Sequence, residues 1–164
     1  MMKLKFKIQQ YQTDAVENVV KVFNGQPNQG LREYVVDKGK VYIKKNGKLT
    51  EDTQTSYDEN TGYKNSDIIL TREELLRNIH QIQTESNIRL SNDVVDKLGA
   101  CQLDVEMETG TGKTYVYIKS MFELNKLYGW TKFIVVVPSV AIREGVKKSF
   151  DITVDHFMEL YGKK

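Results

Sequence analysis

The sequence predicts an α/β fold with parallel strands, and three stretches predict it. In Leu103-Asp104-Val105-Glu106-Met107, apolar and polar residues alternate as in a strand with two different faces. Glu108-Thr109-Gly110-Thr111-Gly112-Lys113-Thr114 follows as a glycine-rich turn, after which Val116, Met121, Phe122, Leu124 and Leu127 recur near helical spacing. Further on, Phe133-Ile134-Val135-Val136-Val137 is apolar without interruption, the pattern of a parallel strand covered on both faces. Strand, loop, helix and strand in that order make a right-handed parallel crossover.

The chain in order begins with a short extended piece and a helix between Phe6 and Phe23. Tyr11, Ala15, Val19, Val22 and Phe23 fall close to one face, and Val16 and Val20 widen it. Asn24-Gly25-Gln26-Pro27-Asn28 ends that helix with a glycine and a proline. Tyr34-Val35-Val36 and Val41-Tyr42-Ile43 are β-favouring runs. Turns at Asp37-Lys38-Gly39-Lys40 and Asn46-Gly47 make them a small hairpin or three-stranded meander. Lys38, Lys40, Lys44, Lys45 and Lys48 cluster there, either as a solvated edge that resists aggregation or as a phosphate-contacting arm.

Residues 50–67 are polar apart from Tyr57 and Tyr63 and read as a loop. Thr71-Arg72-Glu73-Glu74 is a capping box that opens a helix striped with Leu75, Leu76, Ile79 and Ile82. His80 beside that stripe reads as structural. A shorter helix is expected near residues 92–98, closed by Gly99. After the glycine-rich turn, its helix ends at Tyr128-Gly129-Trp130. Pro138 ends the apolar strand, residues 139–150 read as helix, and residues 151–154 read as a short strand. His156 has no partner that the sequence identifies.

Bulk properties narrow the function classes. The 164 residues fit one domain, and a 40% hydrophobic fraction is enough for a core. The net charge is +2, so any nucleic-acid contact needs a local patch rather than a polycation. One cysteine, Cys101, allows no internal disulfide and no cysteine metal site, and it reads as a small apolar residue leading into a strand. The longest apolar run is too short to cross a membrane, and the first residues lack the apolar core of a signal peptide. A cytoplasmic location is the expectation.

The chemistry concentrates in residues 107–114. Glycines let backbone N–H groups approach phosphate oxygens with no side chain in the way. The helix that follows offers unpaired N–H groups and the positive end of its dipole. Lys113 supplies a point charge for terminal phosphates, and Thr114 supplies a hydroxyl for Mg²⁺. Gly112-Lys113-Thr114 fits the phosphate-loop pattern, but Met107 stands where the pattern has glycine.

Residues 107–117, Met-Glu-Thr-Gly-Thr-Gly-Lys-Thr-Tyr-Val-Tyr, and residues 137–146, Val-Pro-Ser-Val-Ala-Ile-Arg-Glu-Gly-Val, resemble motifs I and Ia of the Res subunit of type III restriction enzymes. These are superfamily 2 helicase-like translocases, and the family tolerates methionine at the first loop position. The resemblance implies a partial RecA-like P-loop domain with parallel strands and a small β-hairpin and helical insertion. It divides the chain into an adenine-reading N-terminal region at 1–25, an insertion at 26–99 and a P-loop unit at 100–164.

On that resemblance Thr109, Gly110, Thr111, Gly112, Lys113 and Thr114 hold ATP and Mg²⁺, with Lys113 and Thr114 as the catalytic contributors and Thr114 on the metal. Tyr11-Gln12 resembles the pair that superfamily 2 enzymes place ahead of motif I. A glutamine amide can donate to N7 of adenine and accept from its 6-amino group. Tyr11 either packs on the base or joins the core. Ser139 and the N–H groups at the start of its helix are implied contacts to the nucleic-acid backbone. Arg143, one turn on, is either a further such contact or a solvated residue.

No Asp-Glu pair in strand context is present to serve as the second motif, and no nuclease constellation is present. Asp104 and Glu106 lie on the incoming strand, and Glu108 should point away from phosphate. The chain is therefore expected to be the N-terminal part of a longer motor and scarcely active alone. DNA and a methyltransferase (modification) subunit are the implied partners, with no membrane. Another superfamily 2 DNA or RNA helicase, or a non-catalytic DNA-binding module, are the rival readings.

Overall fold

The computed structural model describes residues 6–35, 42–45, 48–51, 61–95, 99 and 101–162. In chain order the elements are α1 (Gln10–Lys21), β1 (Leu31–Val35), β2 (Tyr42–Lys45), β3 (Lys48–Glu51), β4 (Thr61–Asn65), α2 (Arg72–Glu85), α3 (Lys113–Tyr128) and α4 (Val140–Tyr161).

One apolar core joins the helices that come before and after the glycine-rich turn. Val16, Val20 and Phe23 from the first part of the chain meet Leu75 of α2, Val116 and Tyr128 of α3, and Trp130. The Phe23 ring stands edge-on to Trp130 at 5.1 Å and to Tyr128 at 6.2 Å, an arrangement favoured by the ring quadrupoles. The Tyr128 hydroxyl donates to the Val20 carbonyl at 3.0 Å, an oxygen that also accepts from Phe23 N at 3.1 Å at the end of α1. Gly129 takes a left-handed φ of 75° to close α3, and Gly25 takes φ 96° after α1. Cys101 is half-buried against this core, and burial pushes its thiol above the ordinary range.

Polar clamps tie the region between α1 and α2 to that core. The buried Gln26 donates to the Asp67 carbonyl and accepts from the Ile69 N–H, both at 3.0 Å. The Asn65 side chain accepts from the Thr131 and Lys132 N–H groups at 2.9 and 3.0 Å and donates to the Lys132 carbonyl at 2.7 Å. The capping box forms as the sequence predicts: Thr71 Oγ1 accepts from Glu74 N at 3.2 Å, and Glu74 Oε2 accepts from Thr71 N at 2.8 Å. His80 bonds the Ser91 carbonyl at 2.7 Å, a structural contact.

The strand pairing differs from expectation. The described ladders are antiparallel and two-stranded: β1 with β4, in register Leu31↔Asn65, and β2 with β3, in register Lys45↔Lys48. β1 thus pairs with part of the stretch read as a polar loop, not with β2. Thr61 and Tyr63 favour strands, but Gly62, Lys64 and Asn65 dilute the signal. The two predicted turns, at 37–40 and 46–47, lie outside the described residues. The parallel strands predicted at 103–107 and 133–137 form no ladder among the described residues. Ile134 and Val136 are 91% and 87% exposed because no described strand or helix lies over them.

Two further expectations fail for identifiable reasons. Residues 92–95 are not helical. Arg72 grips the Asp93 carboxylate at 2.7 and 2.8 Å and donates to the Val94 carbonyl at 2.9 Å, which occupies backbone that a helix would use. Residues 96–98 lie outside the described residues. The strand read at 151–154 is instead the continuation of α4, which runs unbroken to Tyr161. Tertiary packing overrides its β-branched residues. Phe157 and Tyr161 stack on Phe122 of α3 at 5.0 and 4.9 Å, and the Tyr161 hydroxyl donates to Glu123 at 2.7 Å.

His156 finds a partner on α3. With Nε2 unprotonated, it accepts from the Tyr115 hydroxyl at 2.9 Å, and Phe6 lies against the imidazole at 5.1 Å. Burial holds the histidine below its ordinary range, with Lys119 lowering it further and Glu159 opposing. A histidine whose folded pKa is depressed binds fewer protons in the folded chain than in the unfolded chain. Its stabilising contribution is therefore present above the unfolded value of about 6.5 and is lost as pH falls through the folded value. The thermal midpoint of the wild-type chain should drop between pH 7.5 and 5 by more than that of a His156→Gln variant. Equal drops in a thermal scan series would contradict the assignment.

Candidate functional site

The loop at 107–114 is built on a single carbonyl. Glu108 O accepts from Thr111 Oγ1 at 2.7 Å, from Lys113 Nζ at 2.8 Å and from Thr111 N at 3.4 Å. These bonds fold the chain back on itself between the incoming segment and α3. The fold-back requires φ of +84° at Gly110 and +86° at Gly112, where a side chain is strained. Gly112 is the N-cap of α3, and no side chain caps the helix. Its first N–H groups thus lack intrahelical partners and sit at the positive end of the dipole. The first helical bond is Val116 N to Gly112 O at 3.1 Å.

α1 supplies the other wall. Gln12 Nε2 donates to the Thr111 carbonyl at 2.8 Å, and the Tyr11 hydroxyl donates to the same oxygen at 3.2 Å. Because the acceptor is a carbonyl, the amide orientation of Gln12 is dictated by chemistry. One amide hydrogen and Oε1 of Gln12 remain for another group. The approach is close: a Cβ on Gly112 would stand 2.5 Å from Gln12 Nε2. Lower on the same interface, Lys119 donates to Thr13 Oγ1 at 3.4 Å.

The structure thus brings Gln12, Thr111, Gly112 and Lys113 together. Thr114 sits half-buried in the first turn of α3, and Thr109 and Gly110 are exposed at the loop's outer edge. The Glu108 side chain is exposed as well. Ser139 and Arg143 make their hydrogen bonds within their own helix region. Ser139 Oγ caps α4 by accepting from Ile142 N at 3.3 Å, and the exposed Arg143 guanidinium donates to Glu144 at 3.2 Å. An exposed neighbouring pair of this kind holds its partner weakly, so the guanidinium remains available. The Tyr11 contact with the loop was not legible in the sequence, which left the ring between a base and the core. The two residues are 100 positions apart, and only the packing of α1 on α3 joins them.

A cavity of about 560 Å³ lies between α3, α4 and the start of the 133–137 segment, lined by Ile118, Phe122, Phe133, Phe150 and Phe157. None of residues 107–114 lines it. No group of three or more His, Cys, Asp or Glu residues is arranged to hold a metal among the described residues. No helix among them is long and apolar enough to cross a membrane.

Comparison with known proteins follows the same ground. Residues 5–163 match the family described as "Type III restriction enzyme, res subunit". The chain is 37% identical over 102 residues to the type III restriction-modification enzyme EcoP15I Res subunit of Escherichia coli, an alignment covering 61% of this chain and 10% of that protein. It is 36% identical over 102 residues to the EcoPI Res subunit of Escherichia phage P1, with the same coverage. Over 61 residues it is 51% identical to the StyLTI Res subunit of Salmonella typhimurium, covering 36% of this chain and 6% of that one. The chain therefore spans about a tenth of the length of the first two relatives.

The two loop glycines separate strain from contact. Gly110 has open space where a Cβ would go, so Gly110→Ala adds only the left-handed backbone cost, about 1–2 kcal/mol. Gly112→Ala should cost more in urea unfolding, because it also dislodges Gln12. In a Gln12→Ala background the two alanine variants should cost the same. An unchanged gap would show that Gln12 does not pack on the loop.

Proposed function

The chain belongs to the Res-subunit family of type III restriction enzymes, and from that premise we propose that residues 107–114 bind the triphosphate of ATP with Mg²⁺. The observation that supports this most is the left-handed pair Gly110 and Gly112 opening directly into an uncapped helix N-terminus with Lys113 folded across the turn. That arrangement suits a polyphosphate: it offers uncapped N–H groups at the helix start, a helix dipole and one ammonium. Lys113 now rests on a neutral carbonyl, a partner it can exchange for a phosphate oxygen. Thr114 offers its hydroxyl as a ligand for Mg²⁺, which takes its other ligands from phosphate and water. Bound Mg·ATP supplies the phosphoryl group; the chain's own part is positioning and charge neutralisation, which dominate phosphoryl transfer.

Gln12 reads adenine in this proposal. Its free amide hydrogen and Oε1 match N7 and the 6-amino group, a pair that guanine cannot satisfy. Ser139 and Arg143 contact the DNA backbone from the start of α4. In the whole protein the stretches at 103–107 and 133–137, which form no ladder among the described residues here, become strands of a parallel RecA-like sheet, which accounts for the fully apolar sequence of the second. The whole enzyme uses ATP to move on DNA together with a modification subunit in the cytoplasm, and it cleaves with a nuclease region elsewhere in its length.

Calorimetry with Mg·ATP on the 164-residue chain tests the loop. The wild type should bind weakly, and Lys113→Ala should abolish the heat of binding. Undiminished binding in that variant would remove the loop assignment.

A further inference from the structure

The Thr111 carbonyl receives two donors from adjacent residues of α1, and this double contact implies a role for Tyr11 that the motif does not assign. A peptide unit is planar and trans, so its C=O and the next N–H point in opposite directions. Holding Thr111 O against α1 therefore turns the Gly112 N–H to the other side of the unit, away from α1. Gly110 and Gly112 flank this stretch, and glycine visits both signs of φ at little cost. The loop backbone is thus easily flipped, and an outside contact must select one orientation.

Gln12 alone is a poor choice for that task if it also reads a base, because a purine seated on its other hydrogen and Oε1 pulls on the amide that holds the loop. The Tyr11 hydroxyl has no such second duty. Its bond to Thr111 O at 3.2 Å comes from a separate side chain. Tyr11 is 48% exposed, so its ring adds little to the core.

We propose that Tyr11 is a positioning residue for the phosphate loop: its hydroxyl pins the Thr111–Gly112 peptide so that the Gly112 N–H faces the bound polyphosphate. The proposal rests on the phosphate-binding reading above. It predicts that Tyr11 acts on the phosphates and not on the base, the reverse of Gln12.

Calorimetry on the 164-residue chain with two probes, Mg·ATP and Mg·tripolyphosphate, separates these roles. Tyr11→Phe keeps the ring and removes the hydroxyl. It should weaken both probes by the same factor, about five-fold, the worth of one hydrogen bond. Its thermal midpoint should stay at the wild-type value, which a merely structural role would not allow. Gln12→Ala should weaken ATP more than tripolyphosphate. Wild-type tripolyphosphate affinity in Tyr11→Phe overturns the proposal and leaves the loop reading intact. So does a loss confined to ATP and seen only in Tyr11→Ala, which would make the ring a stacking surface for the base. A wild-type chain that binds neither probe overturns both the proposal and the reading beneath it.

Discussion

The structure depends on the packing of α1 across the start and body of α3. Val16 and Val20 are buried in the core that Val116 and Tyr128 share, and the Tyr128 hydroxyl closes the end of α1. That packing brings residues separated by about a hundred positions into hydrogen-bond range at the loop. Without it Gln12 and Tyr11 would be surface residues on an isolated amphipathic helix, and the loop would have one wall. The apolar contacts supply the driving force, and the polar contacts at the loop choose one backbone orientation among several that glycines permit.

The loop's local geometry was legible where one short stretch encodes it. Gly110, Gly112, Lys113 and the helix after them specify a turn into an uncapped N-terminus, and the structure forms that turn. The capping box at Thr71 and the glycine stop at Gly129 were legible for the same reason. Long-range partners were not legible. β1 takes β4 instead of its sequence neighbour, because strand pairing is set by which edges meet in space. α4 runs through Ile152, Thr153 and Val154 because Phe157 and Tyr161 stack on Phe122, a contact that no local propensity contains. Residues 92–95 escaped the helix because Arg72, 21 residues before Asp93, holds Asp93 and the Val94 carbonyl.

The stretch at 133–137 is apolar at every position. A sequence apolar on both faces is written for burial on both faces. Among the described residues it is held at its start, where Asn65 bonds Thr131 and Lys132, and Ile134 and Val136 beyond are exposed. Phe133 helps to line the cavity between α3 and α4. None of residues 107–114 lines that cavity, and the bonds that shape the loop run to Tyr11, Gln12 and Glu108.

The central claim is that the backbone N–H groups between Thr109 and Thr114 converge on a bound polyphosphate. An amide-resolved ¹H–¹⁵N titration of the chain with Mg·ATP reads those groups one by one. The account predicts the largest shifts at Gly110, Gly112, Lys113 and Thr114, smaller ones at Gln12, and none along the far half of α4. Shifts that cluster around the α3–α4 cavity while the loop amides stay in place would contradict it.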